Sequence, residues 1–355
     1  NGAIVSSDDV FVRNEIANST NVKIGDIIVV VRNGSRKLIG KHAIVTVPMN
    51  NTVIGAFMTG IRTEHYNFIN ALLSTLKFKD ELRKNMGATI NQITGYMFSN
   101  MKFMFPNDQE MDRIGTFLRK LDNLITLQQR KLDQLNTLKK GLLQKMLADK
   151  KHPKSELRFK GFSGDWEQRK LGEVGKTYTG LSGKTKQDFG HGEAQFVTYM
   201  NVYTNTIANL HMIEQVEIDN HQNEVQYGDV FFTTSSETPE EVGMTSVWLG
   251  NSRFIYLNSF CFGFRPVYEI DPYYLAYMLR SASIRKKLTV LAQGISRYNI
   301  SKKSVMEMSV FLPSLEEQDK VGKFFKQLDS LIALHQRKLD KLKKMKAAYL
   351  NEMFV

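Results

Sequence analysis

Two short stretches of this chain combine the side chains that grip phosphates and read base edges. Residues 32–37, RNGSRK, place Arg32, Asn33, Ser35, Arg36 and Lys37 between an apolar run and the segment IGKHAIV, which carries Lys41. Guanidinium and ammonium groups donate to phosphate oxygens, and Arg, Asn and Ser can also donate to or bridge base edges. Residues 294–303, GISRYNISKK, add Arg297, Tyr298, Asn299 and Lys302, a basic stretch with an interleaved ring suited to phosphate contact and stacking. Lys184, Tyr199, Asn201, Thr234, Ser235, Ser236 and Arg253 complete the candidate nucleic-acid-contacting set. The alternative for RNGSRK is an exposed turn with no ligand.

Catalytic spacing is absent by contrast. GLSGKT (180–185) resembles the end of a phosphate-binding loop, but GxxxxGK[ST] needs glycine at 178 and Tyr178 stands there, so the loop cannot wrap a phosphate. Lys184 and Lys186 are then expected to face solvent or a phosphate backbone. DPYY (271–274) resembles the DPPY tetrad with which amino-methyltransferases hold a flipped base, without its second proline. Asp271 reads better as a helix N-cap and Pro272 as its first helical residue. The seven histidines are scattered, with no HExxH or paired Cys/His spacing, so no metal site is expected.

The elements that must position these loops occur twice. Residues 112–135, DRIGTFLRKLDNLITLQQRKLDQL, return as residues 319–342, DKVGKFFKQLDSLIALHQRKLDKL, with 14 of 24 positions identical. At an offset of 203, VKIGDII matches VQYGDVF, IGKHAIV matches VGMTSVW and GAFMTGIR matches NSFCFGFR; the offset then becomes 207. Shared features are framework, and features private to one copy are candidates for specificity. RNGSRK faces SSETPEE (235–241) in this alignment, so one framework carries two dissimilar loops. Residues 157–203 have no counterpart after Asn1, and the first copy is read as N-terminally incomplete.

Each copy reads as a mixed globular segment followed by a long helix. Apolar runs at 27–31, 43–47, 230–234 and 254–257, bounded by Gly, Asn, Asp and Ser, predict strands, and the spacing of Phe68, Leu72, Leu73 and Leu76 predicts helices over 65–84 and 272–291. An apolar strand is expected to end at Pro106 and at Pro313, after which NDQE (107–110) and SLEE (314–317) have the capping-box arrangement. A heptad seam then runs through Leu121, Ile125, Gln128, Leu132 and Lys139, and again through Leu328, Ile332, His335, Leu339 and Lys346. The polar breaks fall in the same slots of both copies, which predicts that the two helices pack on each other or on matching partners in one alignment. The alternative is an ordinary amphipathic bundle helix. The expected division is 1–106, first globular domain; 107–150, first long helix and linker, with DKKHPKSELRFK (149–160) joining the copies; 151–313, second globular domain; and 314–355, second long helix.

Composition agrees with this plan. Of 355 residues 42% are apolar and 24% charged, enough for two cores, and no run approaches 18 apolar residues. One cysteine, Cys261, fits a buried small hydrophobe in a reducing cytoplasm. The net charge of +12 points to a polyanion, with 21 basic and 13 acidic residues in 1–150 and 27 and 23 in the remainder.

Taken together, LRFKGFSGDWEQRKLGEV (157–174), the repeated GD-strand pattern, QGISRYNIS and the twice-used junction FLPSLEEQDKVGKFFKQLDSLIALHQRKLDKL resemble the DNA-specificity subunit of a type I restriction-modification system. The resemblance covers essentially the whole chain. It implies an α+β fold of two target-recognition domains separated by two long antiparallel coiled-coil helices, each domain reading half of a split site in double-stranded DNA. It also implies no cofactor in this chain, with AdoMet, ATP and magnesium held by two methyltransferase subunits and by restriction/translocase subunits. The competing readings are a coiled-coil scaffold whose basic charge is incidental and a methyltransferase acting alone.

Overall fold

A computed structural model describes residues 20–86, 91–148 and 155–354, with positions 4, 9–13, 15, 17 and 153. Of the expected linker, residues 149–152 and 154 lie outside the described residues. The chain divides into two compact units, residues 1–132 with 334–355, and residues 133–333.

In the first unit, β1 (Ile27–Val30), β2 (His42–Ile44) and β3 (Met58–Ile61) form an antiparallel sheet in the order β2-β1-β3, with Ile28 opposite both Ala43 and Gly60. Alternation buries Ile27 and Val29 completely, against Ile39, Leu73, Phe78, Leu82 and Ile93. Helices α1 (Tyr66–Leu72), α2 (Leu76–Asn85) and α3 (Gly95–Ser99) follow. The single helix expected over 65–84 is therefore two. The Thr75 hydroxyl donates to Leu72 O at 2.6 Å and accepts from Phe78 N at 3.2 Å, closing α1 while capping α2. Ahead of Pro106 the expected strand is absent: among the described residues nothing pairs with 101–106, and Met104 and Phe105 face solvent.

The second unit opens with β4 (Glu167–Lys170), α5 (Leu171–Val174), β5 (Gly175–Thr179), β6 (Phe189–Val197), α6 (Tyr199–Thr204) and β7 (Ile213–Val216). There follow β8 (Val230–Thr233), β9 (Ser235–Ser236), β10 (Thr245–Val247), β11 (Ile255–Leu257) and β12 (Cys261–Pro266). The unit continues with α7 (Pro272–Leu279), α8 (Ala282–Leu291), β13 (Tyr298–Asn299), α9 (Lys302–Met306) and β14 (Ser309–Leu312). Among the described residues the strands form two larger sheets, β10-β8-β12-β5 and β11-β6-β7, and two short ladders, β13-β9 and β14-β4. The CFGF of SFCFGF opens β12, an inner strand of the first of these sheets, with Phe262 stacked on Phe232 at 5.0 Å and Cys261 3% exposed. Burial pushes the Cys261 thiol pKa up to about 12, so it is an inert hydrophobe there. Asp271 accepts from Tyr274 N at 2.7 Å with Pro272 behind it, the cap read from the sequence, and the helix expected over 272–291 is again broken, at Ser281.

The repeat is a physical one. Gly25 and Gly228, at φ +91° and +86°, turn the chain where L side chains are rarely found. The aspartate after each turns back on the chain, Asp26 accepting from Lys23 N and Asp229 from Gln226 N, both at 2.8 Å. A bidentate arginine holds each carboxylate, Arg62 on Asp26 at 2.7 and 2.6 Å and Arg265 on Asp229 at 2.8 and 2.7 Å.

Helices α4 (Asp108–Met146) and α10 (Leu315–Met353) each run 39 residues. Asn107 and Ser314 cap the amides of Glu110 and Glu317. The reciprocal half of the capping box fails at α10, because the buried Glu317 carboxylate is taken instead by Arg158 at 2.8 and 2.5 Å. In the first unit, residues 108–132 pack antiparallel on 334–353: Phe117 meets Tyr349 edge-on, Lys346 pairs with Asp122, and His335 Nδ1 lies 2.8 Å from Gln128 Oε1. Leu121, Leu132 and Leu339 are buried and Ile125 half-buried. In the second unit Leu328 joins the core with Ile332 packed on it, and Lys139 pairs with Asp329 at 2.5 Å. The ion pairs Lys139–Asp329 and Lys346–Asp122 are one interaction repeated at the 207-residue offset, and Gln128 pairs with its own repeat equivalent. Every polar break in the seam thus finds a partner in one register.

Candidate nucleic-acid interface

In the first unit the RNGSRK loop is clamped at both ends. Beyond β1, Ile93 N donates to Val31 O at 2.8 Å, Arg32 bridges Gln92, and Asn91 Nδ2 donates to Gly34 O at 3.1 Å. Asn33 turns the chain by accepting from Ser35 N at 2.9 Å, and residues 36–38 close it as a single 3-10 turn. Arg32, Ser35, Arg36, Lys37 and Lys41 sit on this hairpin, all five exposed, with the Arg32 guanidinium 5.2 Å over the ring of Phe57. Arg36 reaches Met86 O at 3.5 Å. Between Ile27 and Thr63 the sequence holds no carboxylate, so the hairpin brings no acidic side chain of its own and presents a positive field to a polyanion.

The second unit repeats the clamp with different chemistry. Ile300 N donates to Thr234 O at 3.0 Å, and Ser235 and Ser236 pair with Asn299 and Tyr298. The Tyr199 hydroxyl donates to Ser235 O at 3.0 Å and its ring stacks on Tyr203. The structure thus brings Tyr199, Thr234, Ser235, Ser236, Tyr298 and Asn299 together, with Arg297 exposed beside them and Lys302 half-buried at the start of α9. The loop itself is acidic. The Tyr203 hydroxyl donates to Glu241 at 2.7 Å and, with Ser236, holds that carboxyl below its usual range, while Glu237 and Glu240 are exposed.

Several expectations are corrected. Asn201 is fully buried, its amide donating to Asn209 O and Met212 O and accepting from Asn209 N and Asn205 Nδ2, so it braces α6 and has nothing left to offer a base. Lys184 is largely withdrawn from solvent: its side chain is 12% exposed and paired with Asp219 at 3.1 Å. Ser235 and Ser236 are buried, and the Ser236 hydroxyl is taken by Glu241. Arg253 is exposed over Phe254 but stands just before β11, whose Ile255 lies beside Gln195, away from the Tyr199 cluster that follows β6. The loop GISRYNISKK is also not one loop, since Lys302 and Lys303 belong to α9. Sequence reasoning missed Asn91, Gln92 and Phe57. The offset of 207 would have found the first two, because NQI (91–93) aligns with YNI (298–300).

The chain is thus a duplicated α+β protein whose single framework carries two dissimilar loops. The sequence matches the type I restriction modification DNA specificity domain family over residues 14–137 and 163–344, and the chain belongs to that family. It is 25% identical over 315 residues to the type I restriction enzyme MjaVIII specificity subunit of Methanocaldococcus jannaschii, covering 79% of this chain and 68% of that one. The fold is similar to a type I restriction-modification system S subunit from M. genitalium, with a TM-score of 0.60 at 16% identity over 95% of this chain and 85% of that one. A structure concerned with complex assembly and conformational transition of a type I R-M system gives a TM-score of 0.55 at 18% identity, covering 94% and 82%.

Proposed function

We propose that this chain reads DNA sequence for a type I restriction-modification complex, each unit recognising one half of a split site while methylation and cleavage belong to other subunits. The observation that carries this reading is the contrast between the two loops. The Asp–Arg clamp, the glycine turn and the strand bridges recur residue for residue, yet RNGSRK is cationic where SSETPEE is anionic. A framework kept in both copies beneath loops of opposite charge fits two heads for two different sequences.

In this reading α4 and α10, each about 60 Å long at 1.5 Å per residue, set the spacing between half-sites and dock two methyltransferase subunits. Support for docking comes from leucines left exposed at matched positions, Leu124 with Leu331 and Leu127 with Leu334. AdoMet, ATP and magnesium then belong to the methyltransferase and restriction/translocase partners, and the complex works in the cytoplasm. No helix among the described residues is long and apolar enough to cross a membrane.

The test is a methylation map made with the partner subunits. Replacing RNGSRK by neutral turn residues should relax one half of the site, at about 1–3 kcal/mol for each bidentate hydrogen-bond pair to a base that the replacement removes, and leave the other half unchanged. Both halves changing together would overturn the two-head reading. A scaffold with incidental charge would show no specific retention of a duplex at moderate salt.

A further inference from the structure

The first unit holds a cavity of about 470 Å³ between β2, α1 and α4, whose wall includes His42, Asn67, Asn70, Ala71, Leu118 and Asp122. At the repeat offsets, Asn67, Asn70, Ala71 and Leu118 correspond to Tyr274, Tyr277, Met278 and Phe325 of the second unit. All four of those are buried. The Tyr277 ring packs 5.4 Å from Phe325, and its hydroxyl donates to Asp329 at 2.8 Å. The Lys139 ammonium lies 5.4 Å from the same ring while pairing with Asp329.

The first unit keeps the polar end of this arrangement and lacks the ring. Asp122 and Lys346 are the equivalents of Asp329 and Lys139 and are paired in the same way. Asn70 stands where Tyr277 stands, and each of the four aligned positions carries a smaller side chain. The buried Oδ1 of Asn67 has no hydrogen-bond partner. His42 supplies no spare donor, since its ring nitrogens lie 2.9 Å from Gly40 O and 3.1 Å from Asn70 O and Ser74 Oγ. A simple packing defect would be apolar and dry. This cavity instead has the Asp122 carboxylate and the side chains of Asn67 and Asn70 in its wall beside Ala71 and Leu118.

We propose that the cavity takes a phenol-type group, a planar aromatic ring bearing a hydrogen-bond donor, with the donor on Asp122 and the ring against Leu118 and Ala71. A cavity of about 150 Å³ already accepts benzene, so there is room for the ring and its attachment. The same chemistry is offered by a tyrosine presented by a partner protein and by a free phenol.

The probe is p-cresol, titrated into the full chain and followed by NMR shift perturbation, with toluene as the matched ring without a donor. The expected result is saturable one-site binding of p-cresol, at least tenfold tighter than toluene, perturbing Ala71 and Leu118. The double variant Asn70→Tyr, Ala71→Met rebuilds the second unit's filling and should abolish binding while raising the melting temperature. Absence of saturable binding, equal affinity for toluene, or binding that survives in the folded double variant overturns the proposal. The comparison of p-cresol with toluene needs no variant, so misfolding of the double variant leaves it decisive. With binding established, loss of assembly with methyltransferase subunits in the filled variant identifies a partner tyrosine as the source, and unchanged assembly identifies a free phenol.

Discussion

Asp229 is wholly buried and holds three donors besides its backbone turn, two from Arg265 and the Tyr178 hydroxyl at 2.7 Å. The tyrosine that spoils the phosphate-loop pattern is thus a half-buried residue bonded to the aspartate of the GD turn. Arg265→Ala should lower the unfolding free energy by about 3 kcal/mol, because it leaves a buried carboxylate short of its counter-charge. Arg62→Ala should cost less, since that guanidinium is half exposed and its ion pair is screened by solvent. Chemical denaturation of both variants checks the order, and equal losses would contradict it. Legibility at this scale stops at partners. Lys184 and Asn201 have side chains suited to DNA, but Asp219 and the carbonyls of Asn209 and Met212 claim them, and no periodicity announces pairings of that kind. With Gln222, the backbone N–H of His221 and Lys184 all donating to it, Asp219 is held far below the ordinary carboxylate range.

Among the elements, the long helices keep a glycine in the same slot of both copies because another backbone passes close by. A Cβ on Gly115 would lie 2.6 Å from Phe68 N, and one on Gly322 would lie 2.7 Å from Tyr274 N and 2.5 Å from Asp271 Oδ1. Alanine at either site should therefore destabilise by about 1–3 kcal/mol, against the gain of about 1 kcal/mol that alanine brings to an open helix site. Gly141, with nothing within 4 Å of its Cβ position, is the control and should gain. Thermal unfolding of the three variants decides it, and a gain at position 115 or 322 would mean that the approach relaxes freely. The seam was legible because heptad spacing is a local property. The breaks at Thr75 and Ser281 were not, since the apolar rhythm runs through them, and neither was the missing strand before Pro106, whose equivalent β14 depends on pairing with β4 across more than 130 residues.

His335 makes the seam sensitive to acid. Burial first, and then Lys131 and Lys338, hold its pKa below the ordinary value of 6.5. A histidine whose folded pKa is depressed contributes stability above the unfolded value and loses it as the pH falls toward the folded one, because the unfolded chain then binds the proton more readily. His335→Gln, which copies Gln128, should flatten the fall in stability as pH drops below 6.5. An unchanged pH profile would show that the acid response lies elsewhere.

For the whole molecule, the duplicated plan makes a prediction about length. Deleting one heptad from each helix, 129–135 and 336–342, keeps the seam in phase and shortens each helix by about 10 Å, or roughly three base pairs at about 3.4 Å each. The proposed ruler then demands a recognition site with a shorter central gap, or loss of high-affinity binding through the accompanying rotation about the duplex. Unaltered affinity for the original spacing in a folded variant would remove the helices from that role.

The bond between Gln128 and His335 joins two positions that an unduplicated ancestor would have filled with one residue facing itself. Once the copies shared a chain, that self-meeting point could become unlike. A second α10 offered by a neighbouring molecule would set imidazole against imidazole between lysines, and a second α4 would set amide against amide. Each helix is thereby addressed to the other copy on its own chain, and an exchange of arms between molecules gives up the pairing on which the register turns.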